Sequence, residues 1–103
     1  MQTGSTQLDL GRSVRAIELL TAAIAELDPA YVRDAAWYRA IVARAHLAAD
    51  DVDQAAATAL AVLPDARATN AYATDHLTTT ATMLTQRAPH HQTVRDLAEA
   101  LAR

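Results

Sequence analysis

The sequence predicts an all-α chain, and three observations carry that reading. Alanine, the residue with the highest helix propensity, fills 26 of the 103 positions. Only two glycines and three prolines interrupt the chain. Strand-forming residues never alternate with polar ones over a long run. Hydrophobic residues make up 51% of the chain, so one core is affordable, and the length is that of one domain. A chain of this size buries roughly two-thirds of its unfolded surface.

Breaks at Asp28-Pro29, Asp50-Asp51, Pro64-Asp65 and Ala88-Pro89 divide the chain. Residues 1–10 are polar, carry Gly4 among hydroxyl residues, and read as a poorly ordered start or a remnant first helix. Residues 11–103 read as one helical domain. Its first helix is expected over about 12–27, where Val14, Ile17, Leu20, Ile24 and Leu27 recur at spacings of three and four. Asp28 then offers an N-cap carboxylate, with Pro29 at the first helical position of a second helix over 29–48. Its expected inner stripe is Tyr31, Ala35, Tyr38, Val42 and Ala45, widened by Trp37, Ile41 and Ala48. Asp50, Asp51 and Asp53 suit the start of a third helix over 52–63, because acids complement the positive end of a helix. Pro64 is expected to stop it. A fourth helix follows over 66–86, with Leu77, Ala81 and Leu84 inward, and a fifth over 92–102, with Val94, Leu97 and Leu101 inward. Short connections make these helices antiparallel neighbours, which a bundle and a solenoid both satisfy.

The net charge is −3, and all nine basic residues are arginines scattered among acids. No basic stripe exists to neutralise phosphates, so direct nucleic-acid binding by this segment is not expected. The absence of cysteine excludes disulfides, thiolate metal sites and a cysteine nucleophile. No apolar stretch has signal-peptide or membrane-spanning character. A cytoplasmic protein without membrane contact is the expectation.

Two segments align with each other. Gly11 to Leu20, closing on Ala23 and Leu27-Asp28-Pro29, has a turn, then a hydrophobic residue, then Ala16. Asp50 to Ala55, closing on Leu63-Pro64, repeats that order with Ala55, 39 residues beyond Ala16. The pattern resembles the tetratricopeptide repeat, a helix pair of about 34 residues with W-x2-L-G-x2-Y, A-x3-F and P. Ala16 and Leu20 match the A-x3-F pair, and Ala23 and Pro29 fall near the later small residue and the closing proline. In the second unit Ala55 matches, but its aromatic partner is only Ala59. Upstream, Val42-Ala43 stands for Leu-Gly, His46 for Tyr and Arg39 for Trp, with Trp37 two residues early. Residues 66–103 keep the paired-helix shape without the motif. The run Asp34 to Ala40, the Asp51 to Ala55 turn and the tail Pro89 to Arg103 also resemble the C-terminal region of actinobacterial helix-turn-helix transcriptional regulators. The resemblance implies antiparallel helix pairs stacked as a short right-handed solenoid of about two and a half repeats. It also implies a sensory, dimerising or protein-binding role. The DNA-binding motif of those regulators is absent from this chain.

In tetratricopeptide folds the first helix of each pair lines a concave groove. Here those helices are 29–48 and 66–86. Trp37 and Arg44 lie on one face of the first, and Tyr72, His76, Thr79 and Met83 on one face of the second. Aromatic, arginine and hydroxyl groups suit an extended peptide, which needs pockets for side chains and partners for its backbone. Trp37 is also one of very few large side chains, so a place in the core is the competing reading. Solenoids need covered ends. The first helix is therefore expected to bury its open apolar side against a second copy or against an N-terminal segment.

Other chemistry finds little support. His90 and His91 are adjacent, and His46 with Asp50 is only an i,i+4 pair, so no metal is expected. The Asp50-Asp51-Asp53 group lacks the glycine and glutamate of a calcium loop. Ser5 and Ser13 lie in no nucleophile turn, and Gly4 and Gly11 make no phosphate loop. Threonines 78, 79, 80 and 82 are expected to bond back to the preceding helical turn. The sequence thus points to a non-catalytic binding module without a cofactor. Two alternatives remain: a regulatory domain for a small apolar ligand between the helices, in a pocket of Trp37, Tyr38 and Tyr72, or a small helical enzyme or accessory subunit. The enzyme would need a buried, perturbed titratable pair such as His76 with Asp75 or with an arginine; Asp75 and His76 themselves, as helical neighbours, do not face each other.

Overall fold

The computed structural model describes residues 2–103, with side chains from 11 onward. It holds five helices, α1 (Gln2–Glu26), α2 (Val32–Ala48), α3 (Val52–Thr69), α4 (Ala71–Arg87) and α5 (Gln92–Ala102), and no strand among the described residues. The role expected for residues 1–10 turns on side chains outside the described residues; the backbone of 2–10 belongs to α1. From α2 onward each helix packs against the next two in sequence, where two follow; α1 packs against α2 alone.

The connections follow from local chemistry. Asp28 Oδ1 accepts from Ala30 N at 2.9 Å and Asp28 O from Tyr31 N at 2.9 Å, closing a tight turn through Pro29. That turn delays α2 to Val32, three residues after the expected start. Ala88, Pro89, His90 and His91 form a similar turn, with His91 N donating to Ala88 O at 3.1 Å. At the end of α2, Asp51 N donates to His46 O and Asp50 N to Leu47 O, both at 2.9 Å. Asp50 sits at φ 64° in this helix-ending motif, where glycine is usual. Asp51 then caps α3 by accepting from Gln54 N at 3.2 Å.

The core is built largely from alanine. Ala36, Ala40 and Ala43 of α2, and Ala55, Ala56 and Ala59 of α3, are all buried. Small side chains let two helix axes approach to about 8 Å, which explains the closeness of α2 and α3. Larger groups fill the spaces between pairs: Leu47, Val62, Leu63, Leu77, Leu84, Val94 and Leu97. Each such aliphatic side chain contributes about 1.5–3 kcal/mol when fully buried. Leu77, Ala81 and Leu84 point inward as the spacing of α4 demands, as do Val94 and Leu97 of α5; Leu101 is half-buried.

Two expectations are corrected. The inner face of α2 is Ala36, Ala40, Val42, Ala43 and Leu47, whereas Tyr31 is 57% exposed and Ala48 is exposed. The expected stripe is anchored on Tyr31 and Tyr38, but apart from Val42 and Leu47 the buried face belongs to the small residues Ala36, Ala40 and Ala43. Pro64 does not end α3, which continues to Thr69. An internal proline loses one backbone bond and costs about 3 kcal/mol. The turns beyond it offset this through tertiary contacts. Ala66 is fully buried, Asp65 pairs with Arg39 at 3.6 Å, and Arg67 Nη2 donates to Leu101 O at 3.1 Å. As a result α4 begins at Ala71 rather than at residue 66.

Candidate functional site

Asn70, the single residue between α3 and α4, organises the open end of the α2–α4 face. Its extended backbone (φ −151°, ψ 101°) turns the chain. Its Oδ1 accepts from Ala73 N at 3.1 Å, capping α4, and its Nδ2 donates to Arg33 O in α2 at 3.2 Å. One buried amide thus fixes the start of α4 against the first turn of α2. Sequence reasoning ran a helix through this position. An asparagine before an alanine-rich helical stretch is an N-cap signal that could have marked it.

Beyond Asn70, α2 and α4 are joined by Arg44. Its Nε donates to Thr80 Oγ1 at 3.0 Å and its Nη2 to His76 O at 2.8 Å. Thr80 Oγ1 itself donates to His76 O at 2.9 Å, so three groups form one connected network. The His76 ring meets Trp37 edge-on, with centroids 5.3 Å apart and planes at 66°. His76 Nε2 is buried and meets no hydrogen-bond partner. Burial first, and the nearby Arg44 charge second, hold His76 below its ordinary pKa. Burial also lowers Arg44. The network therefore favours a neutral imidazole beneath the indole.

Above it lies an open cleft of about 400 Å³ lined by Arg33, Asp34, Trp37, Asn70 and Tyr72. Trp37 is half-buried, with part of its surface on the core and part on the cleft, so the groove and core readings both describe it. Its indole N–H makes no hydrogen bond among the described residues. Tyr72 is 74% exposed. Neither Arg33 nor Asp34 makes an ion pair among the described residues.

Of the six groove residues expected from sequence, Trp37 and Tyr72 line this cleft, and Arg44 and His76 form the network below it. Thr79 lies elsewhere, exposed, with its hydroxyl donating to Asp75 O at 3.3 Å. Met83 lines a separate hollow with Leu47, Gln86 and Arg87. The α4 stripe is long enough to leave the cleft within two turns. Arg33, Asp34 and Asn70 were missed because they sit at helix ends, outside any face-spacing argument.

Several other polar groups have structural partners. Asp50 pairs with Arg87, and Asp53 with His91. His91 Nδ1 also accepts from Val94 N at 3.4 Å as the cap of α5. Threonines 78, 80 and 82 bond back to the carbonyls of residues 74, 76 and 78. Among the described residues no three metal-ligating side chains gather, and no helix is long and apolar enough to cross a membrane. Compared with protein-family models, curated proteins and solved structures, the chain matches none.

Proposed function

We propose that this chain is a non-catalytic, tetratricopeptide-like interaction module that holds an extended peptide segment in the Trp37–Tyr72 cleft, as the sensory or adaptor part of a bacterial regulatory protein. The cleft carries the reading. It combines two aromatic surfaces, an unused indole donor and charges of both signs, on a frame stiffened by Asn70 and Arg44. An extended peptide needs these features: pockets for alternate side chains and a donor for its backbone carbonyls. What supports the repeat reading is the packing order from α2 onward, in which α2 touches α4 and α3 touches α5, as stacked helix pairs require; α1, which touches α2 but not α3, stands outside that order.

A second reading, a small-ligand regulatory site, draws on the cleft volume, which is within the range of about 300–1,000 Å³ for such sites. The lining includes Trp37 and Tyr72 but not Tyr38. Openness to solvent favours the peptide.

Selection from a random peptide library, followed by titration of the sole tryptophan's fluorescence, tests the proposal. Tyr72→Ala and Arg33→Glu should each weaken the selected peptides by at least about 5-fold while helicity is unchanged, because losing a hot spot costs more than about 1 kcal/mol. Equal binding by both variants, or no enrichment at all, refutes it.

A further inference from the structure

The α1 helix differs from the other four in two respects. From residue 11 to its end it contains no buried side chain, and its only packing partner is α2. Ile17, Leu20 and Ile24 are half-buried on α2, which leaves the opposite side open. On that side Arg12, Arg15, Leu19, Ala22 and Glu26 follow one another at spacings of three and four, so they share a face. All five are exposed, and Leu19, at the centre, is 60% exposed.

We propose that α1 pairs with α1 of a second copy of this chain, antiparallel, about a two-fold axis passing beside Leu19. Charge selects the occupant and the orientation. Arg12 and Arg15 lie on one side of Leu19 and Glu26 on the other, and none of the three has an ion-pair partner among the described residues. Arg12 and Glu26 are each seven residues from Leu19. Antiparallel pairing therefore brings Arg12 of each copy opposite Glu26 of the other, and by symmetry this contact occurs twice. Parallel pairing would set like charges side by side. Leu19 meets its own copy on the axis. The exposed Ala22 and Ala23 keep the helices close and leave room for the Arg15 stem to lie across them. The surface is distinct from the Trp37–Tyr72 cleft, so the two proposals stand or fall separately.

Sedimentation equilibrium of the intact chain should show a reversible shift from 11.0 kDa toward twice that mass as concentration rises. Leu19→Glu should abolish the shift and leave helicity intact, because Leu19 supports little inside its own chain. Arg12→Glu and Glu26→Arg should each weaken dimerisation roughly 10-fold, since each converts two attractive contacts into repulsive ones. The double variant Arg12→Glu/Glu26→Arg should recover it. The chain has no cysteine, so Leu19→Cys should give a single disulfide-linked dimer on oxidation. A protein that stays monomeric at all concentrations overturns the proposal. So does a dimer indifferent to Leu19→Glu, a double reversal without recovery, or failure of Leu19→Cys to crosslink.

Discussion

Replacing Arg44 with methionine keeps most of the apolar stem of the side chain and removes its donors. Two hydrogen bonds are lost, Nε to Thr80 Oγ1 at 3.0 Å and Nη2 to His76 O at 2.8 Å. Bonds from a charged donor contribute about 1.5–3 kcal/mol each, but both are only part-buried, and Thr80 still satisfies the His76 carbonyl. A net loss of about 2 kcal/mol is expected by urea denaturation at neutral pH. The pH dependence gives a second, independent readout. His76 is held below its ordinary 6.5 in the folded chain, by burial first and Arg44 second. The folded state thus resists a proton that the unfolded state accepts. The contribution of His76 is fully present above pH 6.5 and is lost as pH falls from there toward the depressed folded value. Removing Arg44 removes the smaller cause, so the loss on acidification shrinks but persists. The Trp37 ring lies against His76, so fluorescence of the only tryptophan should report the same titration, with a midpoint below 6.5 that moves upward in the variant. A stability change under about 0.5 kcal/mol, the size of an ordinary surface substitution, or an unmoved fluorescence midpoint, would refute the assignment of Arg44 as the α2–α4 clamp.

Two further substitutions probe the frame. Asn70→Ala removes the α4 cap and the bond that ties it to the Arg33 carbonyl, and should cost about 2 kcal/mol in thermal or urea unfolding; Asn70→Asp keeps the cap acceptor but loses the Nδ2 donor, and should cost less. At Asp50, with φ 64°, glycine should exceed alanine in stability by about 1 kcal/mol, a comparison in which both variants lose the Arg87 pair equally.

Much of the fold was legible in sequence because helix formation is local. The number of helices, the inward residues of α4 and the limits of α5 follow from spacing, caps and breakers. The same local rules misplaced the end of α3, since a proline is costly only until something distant offsets it. They placed Val42 of α2 correctly but missed Ala36, Ala40, Ala43 and Leu47, because side-chain size predicts burial only where space allows it. Of the candidate site, Trp37 and Tyr72 were visible as rare aromatic residues on helices expected to line a groove. Arg33, Asp34 and Asn70 were not, since a helix end has no periodicity to betray it.

The sequence by itself determined that the chain is helical, alanine-packed and without cysteine chemistry, because propensity and composition act residue by residue. Tertiary structure alone decided that α3 runs through Pro64, that Asn70 joins α3 to α4 while holding α2, and that Arg44 reaches 32 and 36 residues along the chain to bind α4. Each of these depends on two distant segments meeting at hydrogen-bonding distance, and no local spacing encodes that meeting.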